Sequence, residues 1–377
     1  MFKKILSVVT IVLVVLIGWS AFTSPAGTNC EDIENSREQT ECYQMREKYG
    51  EGTTMWEVTV QAFKDINIWV LLLLIPEQIF MYYAAGQIYF SFLKKRQGLN
   101  VSQGLLTRIS LEINFVNHAL PSAGVSGLGY LIWRLKKFKI TAGQVSFIHI
   151  LRYIISALAN TIQTWIAIVI VIIAGCVRSD GWWAVILAAL IAIGVQLLIF
   201  TAWFIVHKQE TVDKFSKWAS GFVNRVMSFF QRKRKEPFLK EEAVNDFFMD
   251  LRGDYLAIKR NRKIMWKPIV WGSLYAFLEL ATYWVVGSAL GHPEILPQIM
   301  IAEGVASVVG TLVVTPGGVG GYEGAMIAIL IALGVDFSTA TITVVVTRII
   351  VMLGTIVTGW GFYQQALLSR KDKFKVS

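Results

Sequence analysis

The stretch TPGGVGGYEG, residues 315–324, sits inside the apolar run 298–333 and breaks it with one proline and five glycines. A helix does not continue through Pro-Gly-Gly, because proline removes a backbone donor and glycine pays the largest conformational entropy. At membrane depth such backbone is tolerated only inside protein or beside a wet cavity. The run therefore reads as a re-entrant hairpin, with an arm in, a break and an arm back. A comparable interruption, PSAGVSG at residues 121–127, divides the run 104–133.

The chain around these breaks belongs to the membrane class. Of its 377 residues, 54% are apolar and 16% charged, and mean hydropathy is +0.53, values foreign to soluble domains of this length. Trp19, Trp56, Trp182, Trp183, Trp266 and Trp360 stand at the ends of apolar runs, as in the aromatic belts where helices meet headgroups. The net charge of +10 comes from Lys and Arg clustered beside apolar runs. That placement follows the positive-inside rule and excludes nucleic acid as the partner; anionic lipid headgroups are the expected one.

The pattern predicts an all-α polytopic protein of about six full transmembrane helices plus two re-entrant hairpins. Residues 1–22 have a basic start and spanning length, favouring a retained first helix over a cleaved signal peptide. Residues 23–65, with nine acidic and four basic side chains, form an extracytoplasmic segment. It holds Cys30 and Cys42, either a disulfide or two free thiols. The first membrane half is 66–206 and contains the hairpin 104–133. Only 37 residues, 97–133, separate two basic clusters, Lys94 to Arg96 and Arg134 to Lys139, that both belong on the cytoplasmic side. Two full spans with a turn do not fit there.

Residues 207–267, with fifteen basic and eight acidic side chains, form a cytoplasmic segment. In it Phe215, Trp218, Phe222, Val226, Phe229 and Phe230 recur at near-helical spacing, as expected of an amphipathic surface helix or a small partner-binding bundle. The second membrane half is 268–367, with its hairpin at 298–333, and 368–377 is a basic cytoplasmic tail. Both termini are then cytoplasmic.

Each half reads span, hairpin, span, in opposite orientation. Interrupted segments at matching positions of two inverted halves point to a transport site near the bilayer midplane. The half-helix after each break would turn its free N–H groups toward that site, which favours an anion such as phosphate.

Ionisable side chains within spans cost about 2.5 to 3.5 kcal/mol each on insertion scales, so each calls for a partner or a task. Arg152, Glu279, Glu323 and Arg348 are the leading candidates, Arg348 because its fork can hold a carboxylate or phosphate bidentately. Asn117, Pro121, Ser122, Gly124, Pro316, Gly317, Gly318, Gly320 and Tyr322 form the breaks beside them. Glu77, Glu112, His149 and Glu303 are secondary candidates. Arg108 and Glu112, four residues apart, are placed to pair with each other. His118 and His149 read as packing residues, and Asn114 and Asn117 as partners of broken backbone. HExxH, Walker A, CxxC and GxSxG are all absent, so no cofactor, metal-dependent or ATP-driven chemistry is expected.

NFVNHALPSAGVSG (114–127), the segment around Arg152, TPGGVGGYEG and the span bearing Arg348 together resemble the flippase-like family named for the transmembrane region of lysylphosphatidylglycerol synthases. The most specific pattern, Pro-Gly-Gly-x-Gly-x-x-Glu, falls on Pro316, Gly317, Gly318, Gly320 and Glu323. The resemblance covers roughly residues 69–365. It implies translocation of aminoacylated or other polar lipids between leaflets. In the synthases a soluble transferase domain follows, and this chain ends at Ser377 without one, which implies translocation without group transfer. Homo-oligomers are compatible with the resemblance.

Three functions remain in play from the residues. The first is a flippase or scramblase for a polar or anionic lipid, phospholipid or isoprenoid-linked. The second is a membrane-embedded lipid-modifying transferase using carboxylates as general acid and base. The third is a non-transporting scaffold.

Overall fold

The computed structural model describes residues 66–99, 101–120, 125–175, 181–230, 241–313 and 315–374, with Tyr43, Glu47 and Lys64. The expected first span (1–22), Cys30 and Cys42 of the acidic segment, and Pro121, Ser122 and Gly124 of the first break lie outside the described residues.

Among the described residues all regular structure is helical. Six helices are long and apolar enough to cross a membrane: Ile68–Arg96, Ala142–Ala174, Trp182–His207, Arg262–Ala289, Pro293–Leu312 and Phe337–Leu368. Five of them match expected spans. The sixth, Pro293–Leu312, is the first arm of the second hairpin, and its 20 residues qualify it as a crossing helix by length and composition.

We number the helices α1 (Leu74–Gln97), α2 (Gln103–Ala119), α3 (Val125–Leu135), α4 (Ala142–Ala174), α5 (Trp182–His207), α6 (Gln209–Phe230), α7 (Glu241–Arg260), α8 (Trp266–Ala289), α9 (Leu296–Leu312), α10 (Gly321–Ala332) and α11 (Phe337–Phe374). Local chemistry sets several ends. At the start of α4 the Thr141 hydroxyl accepts from Gln144 N at 3.2 Å while Thr141 N donates to Gln144 Oε1 at 3.1 Å, a reciprocal cap. Its other end is Gly175 in the left-handed region. Asp336 accepts from Thr339 N at 2.9 Å and starts α11.

The first half is α1, the α2–α3 hairpin and α4; the second is α8, the α9–α10 hairpin and α11. Helices α1 and α8 run antiparallel. Asn67 N donates to Ala289 O at 3.0 Å at one end, and Lys95 Nζ donates to Lys263 O at 3.1 Å at the other. The first arm of each hairpin packs on the last span of the opposite half, α2 on α11 and α9 on α4. This exchange ties the two halves together through both hairpins. Of two large apolar clusters, one gathers around Ile88, Ile109, Leu131 and Ile148, and the other joins Ala167 of α4 to Ile299, Met326 and Val344 of the second half.

Segment 207–267 forms a helical hairpin, α6 on α7, docked at the end of the bundle. Arg96 reaches Asp254 at 3.3 Å, and Asp250 lies against the backbone of Gly143, where a Cβ would meet its carboxylate at 2.3 Å. Phe215 turns inward, edge-on to Phe248 at 5.3 Å. Trp218 and Phe222 stack on each other at 5.5 Å and stay exposed. At the ends of the spans Trp182, Trp183, Trp266 and Trp360 are exposed, as belt residues should be.

One sequence expectation is overturned here. Glu112 does not pair with Arg108. It accepts from Arg134 Nε at 2.6 Å and Nη2 at 2.9 Å, and from Tyr130 Oη at 2.8 Å. Arg134, read from sequence as part of a cytoplasmic basic cluster, is 8% exposed and Glu112 is 0% exposed. Arg108 instead donates to Gln365 at 2.7 Å and lies over the Phe362 ring. The reason is that α3 returns antiparallel along α2, so the fork of Arg134 arrives bidentately inside the hairpin, where burial excludes water from the pair.

Candidate functional site

The second break is built around three glycines with positive φ. Gly317 (63°), Gly318 (72°) and Gly320 (92°) make the turn between α9 and α10. The last span clamps it. Arg348 Nε meets Glu323 Oε1, and Arg348 Nη2 donates to Gly317 O at 2.7 Å. The second carboxylate oxygen of Glu323 accepts from Gly320 N at 2.7 Å. Glu323 thus occupies the N-terminus of α10 itself, the place sequence reasoning reserved for a ligand phosphate. Arg348 also lies over the Tyr322 ring, 4.7 Å from its centre.

In the first hairpin Asn117 joins the two arms, its Oδ1 accepting from Gly127 N at 3.0 Å. Gly127 has no room for a side chain there, since a Cβ would lie 2.2 Å from that oxygen. His118 Nδ1 donates to Asn114 O at 2.8 Å. Its ring faces the other half, and a Cβ on Gly317 would lie 3.1 Å from His118 Cδ2. The tip of the second hairpin therefore rests on the end of α2, beside the first break.

At this meeting point lies a cavity of about 80 Å³, room for several waters. Asn114 and His118 come from α2, Glu279 and Tyr283 from α8, Tyr322 from α10 and Arg348 from α11; Met81, Tyr82, Tyr275, Thr282, Val351 and Thr355 complete the wall. Among the described residues the Glu279 carboxylate has no hydrogen-bond partner. It stands in the fields of Arg152 and Arg348. Arg152 is behind the wall, donating to Tyr89 Oη at 2.9 Å with its guanidinium over the rings of Tyr89 and Tyr275. His149 Nδ1 lies 3.1 Å from the same Tyr89 hydroxyl.

The structure thus gathers Glu279, Tyr322 and Arg348 on one cavity, with Gly317, Gly318, Gly320 and Glu323 shaping the turn that carries Tyr322. Pro316 opens that turn. Glu77 is set apart, bonded to Gln78 at 3.0 Å and to Thr282 at 3.3 Å. Glu303 does not line the cavity either; Asn160 Nδ2 donates to it at 3.2 Å. Sequence reasoning missed Tyr82, Tyr275 and Tyr283. Tyrosines in mid-span were the available signal, but which way each ring faces depends on helix rotation within the bundle.

The lysylphosphatidylglycerol synthase TM region family is matched over residues 53–359. The chain belongs to that family. The match takes in both halves, both breaks and every residue of the cavity. No curated protein and no solved structure matches the chain. Membership gives the protein a membrane lipid-related role, and the six apolar helices make it a multi-pass membrane protein.

Proposed function

We propose that the protein moves a polar-headed lipid, phospholipid or isoprenoid-linked, between the leaflets of the cell membrane without chemically modifying it. The headgroup would pass through the central cavity while the tails stay in lipid. The observation that carries this reading is that the tip of the second hairpin and the end of α2 meet at one cavity, where the Glu279 carboxylate has no hydrogen-bond partner among the described residues. A carboxylate within a membrane span that has no hydrogen bond is costly, and a transported headgroup offers the missing contact. Arg348 and Arg152 supply positive field for a phosphate, and Glu279 for an ammonium. In this reading the hairpins are re-entrant, both termini are cytoplasmic, and residues 23–65 face outward. The basic segment 207–267 meets anionic headgroups on the cytoplasmic face. The cavity as it stands is too small for a headgroup, so passage requires the tip at Gly317 to leave His118.

The test is leaflet exchange in liposomes carrying the purified protein, with a panel of fluorescent lipids that includes a lysyl-phosphatidylglycerol analogue and an isoprenoid phosphate. Selective exchange that Glu279→Gln abolishes or redirects supports the reading. Folded, inserted protein that exchanges none of the lipids refutes it.

A further inference from the structure

The two halves repeat their packing pair by pair, with one exception. In the first half α1 packs on α2, α2 on α3, α3 on α4 and α1 on α4. In the second, α8 packs on α9, α9 on α10, α10 on α11 and α8 on α11. Across the halves α2 packs on α11 as α9 packs on α4. The remaining cross pair is unequal. Helix α8 packs closely on α4, and a Cβ on Gly272 of α8 would lie 2.2 Å from Ile155 Cγ2 of α4. Its counterpart, α1 against α11, makes almost no close backbone approach.

Side chains are what join α1 to α11. The hydroxyls of Tyr82 and Thr355, both buried, share a hydrogen bond. Toward the start of α1 an apolar cluster holding Leu74, Val286, Ile342 and Val346 bridges the same two helices by way of α8. The central cavity lies along this seam. Helix α1 gives Met81 and Tyr82 to its wall and α11 gives Arg348, Val351 and Thr355, whereas α4 gives no residue. Ile79 and Leu353, within three residues of the Tyr82–Thr355 bond along their helices, are exposed, so α1 and α11 also border lipid.

A lipid whose headgroup crosses the central cavity while its tails stay in the bilayer needs a lateral slit between the two. Closely packed helices interlock ridge into groove and part only by losing that packing. A seam held by one hydrogen bond and a few apolar side chains parts at far smaller cost, because a hydrogen bond between spans contributes little net. Building on the proposed translocation, we infer that the seam between α1 and α11 is the lateral portal for the lipid's tails and that the Tyr82–Thr355 hydrogen bond is its latch. The occupant is an acyl or isoprenoid chain, which Met81 and Val351 meet with apolar side chains. The matching seam between α4 and α8 is shut by Gly272 and Ile155, so the structure singles out one of the two.

The test is photolabelling in liposomes. The purified full chain is reconstituted with a phospholipid carrying a diazirine at mid-chain and irradiated, and adducts are mapped by mass spectrometry; leaflet exchange is measured on the same liposomes. Wild type should carry adducts on exposed Ile79 and Leu353 and also on Met81, Tyr82, Val351 or Thr355 inside the seam. Ile155, in the shut seam, should stay unlabelled, and its labelling in a variant would report lost folding. Tyr82→Phe and Thr355→Val should each raise labelling inside the seam by about three- to fivefold, as one lost hydrogen bond implies, with Ile79 and Leu353 unchanged. Adducts confined to Ile79 and Leu353 in wild type would overturn the portal, and equal seam labelling in wild type and both folded variants would overturn the latch. Exchange without seam labelling removes the portal and leaves the proposed translocation standing. Seam labelling without exchange removes translocation and leaves tail access through this seam standing.

Discussion

Arg348 Nη2 donates to the carbonyl of Gly317 at 2.7 Å, so a side chain from the last span holds the backbone of the second chain break. The same guanidinium grips Glu323, whose other oxygen caps α10. One planar fork thus serves two acceptors in fixed directions. Arg348→Lys keeps the charge but cannot reach both. It should cost on the order of 3 kcal/mol, as for breaking a largely buried pair, measured by denaturant unfolding in detergent. Unchanged stability would mean that the turn holds without the clamp.

Glu279 and Glu323 should separate in their effects. Glu323 has two structural bonds, so Glu323→Gln should lower stability by about 2 kcal/mol, the range for hydrogen bonds to a charged group. Glu279 has no such bond among the described residues, so Glu279→Gln removes an unbonded charge and should hold or raise stability while altering which lipids exchange. Parallel unfolding and liposome measurements check this contrast. The reverse pattern would move the binding role from Glu279 to Glu323.

The ion pair inside the first hairpin is suited to a double-mutant cycle. Glu112→Gln strands Arg134 in a buried site, and Arg134→Met strands Glu112, so each should cost about 3 to 5 kcal/mol. Making both changes removes the stranded charge, and the double variant should cost well below the sum. Additive losses would show that the pair is not coupled.

Two glycines near the second break should respond oppositely to alanine. Gly318 has φ +72°, and a Cβ would lie 2.9 Å from Gly310 O, where backbone faces backbone and neither side yields. Gly318→Ala should cost well over the roughly 1 to 2 kcal/mol of left-handed strain alone. Gly324 is helical with open space around its Cβ position, and alanine there should be neutral or gain up to about 1 kcal/mol. Thermal midpoints of the two variants in one detergent make the comparison.

Hydropathy, basic clusters and chain breaks are local properties, and they carried most of the architecture. Five spans and the helix break at Pro316 to Gly318 were legible because water and lipid sort segments by composition, and Pro-Gly-Gly ends a helix wherever it stands. The family, too, was legible, because the spacing of Pro316, Gly317, Gly318, Gly320 and Glu323 is local. Partnership was not. Glu112 has Arg108 one turn away and Arg134 twenty-two residues away, and only the return of α3 along α2 decides for Arg134. Nor could spacing tell that Glu323 caps its own helix while Glu279 stands open, or that Tyr82, Tyr275 and Tyr283 line one cavity. Those outcomes depend on how the two antiparallel halves rotate and interlock, because a buried charge takes the partner that packing brings to it.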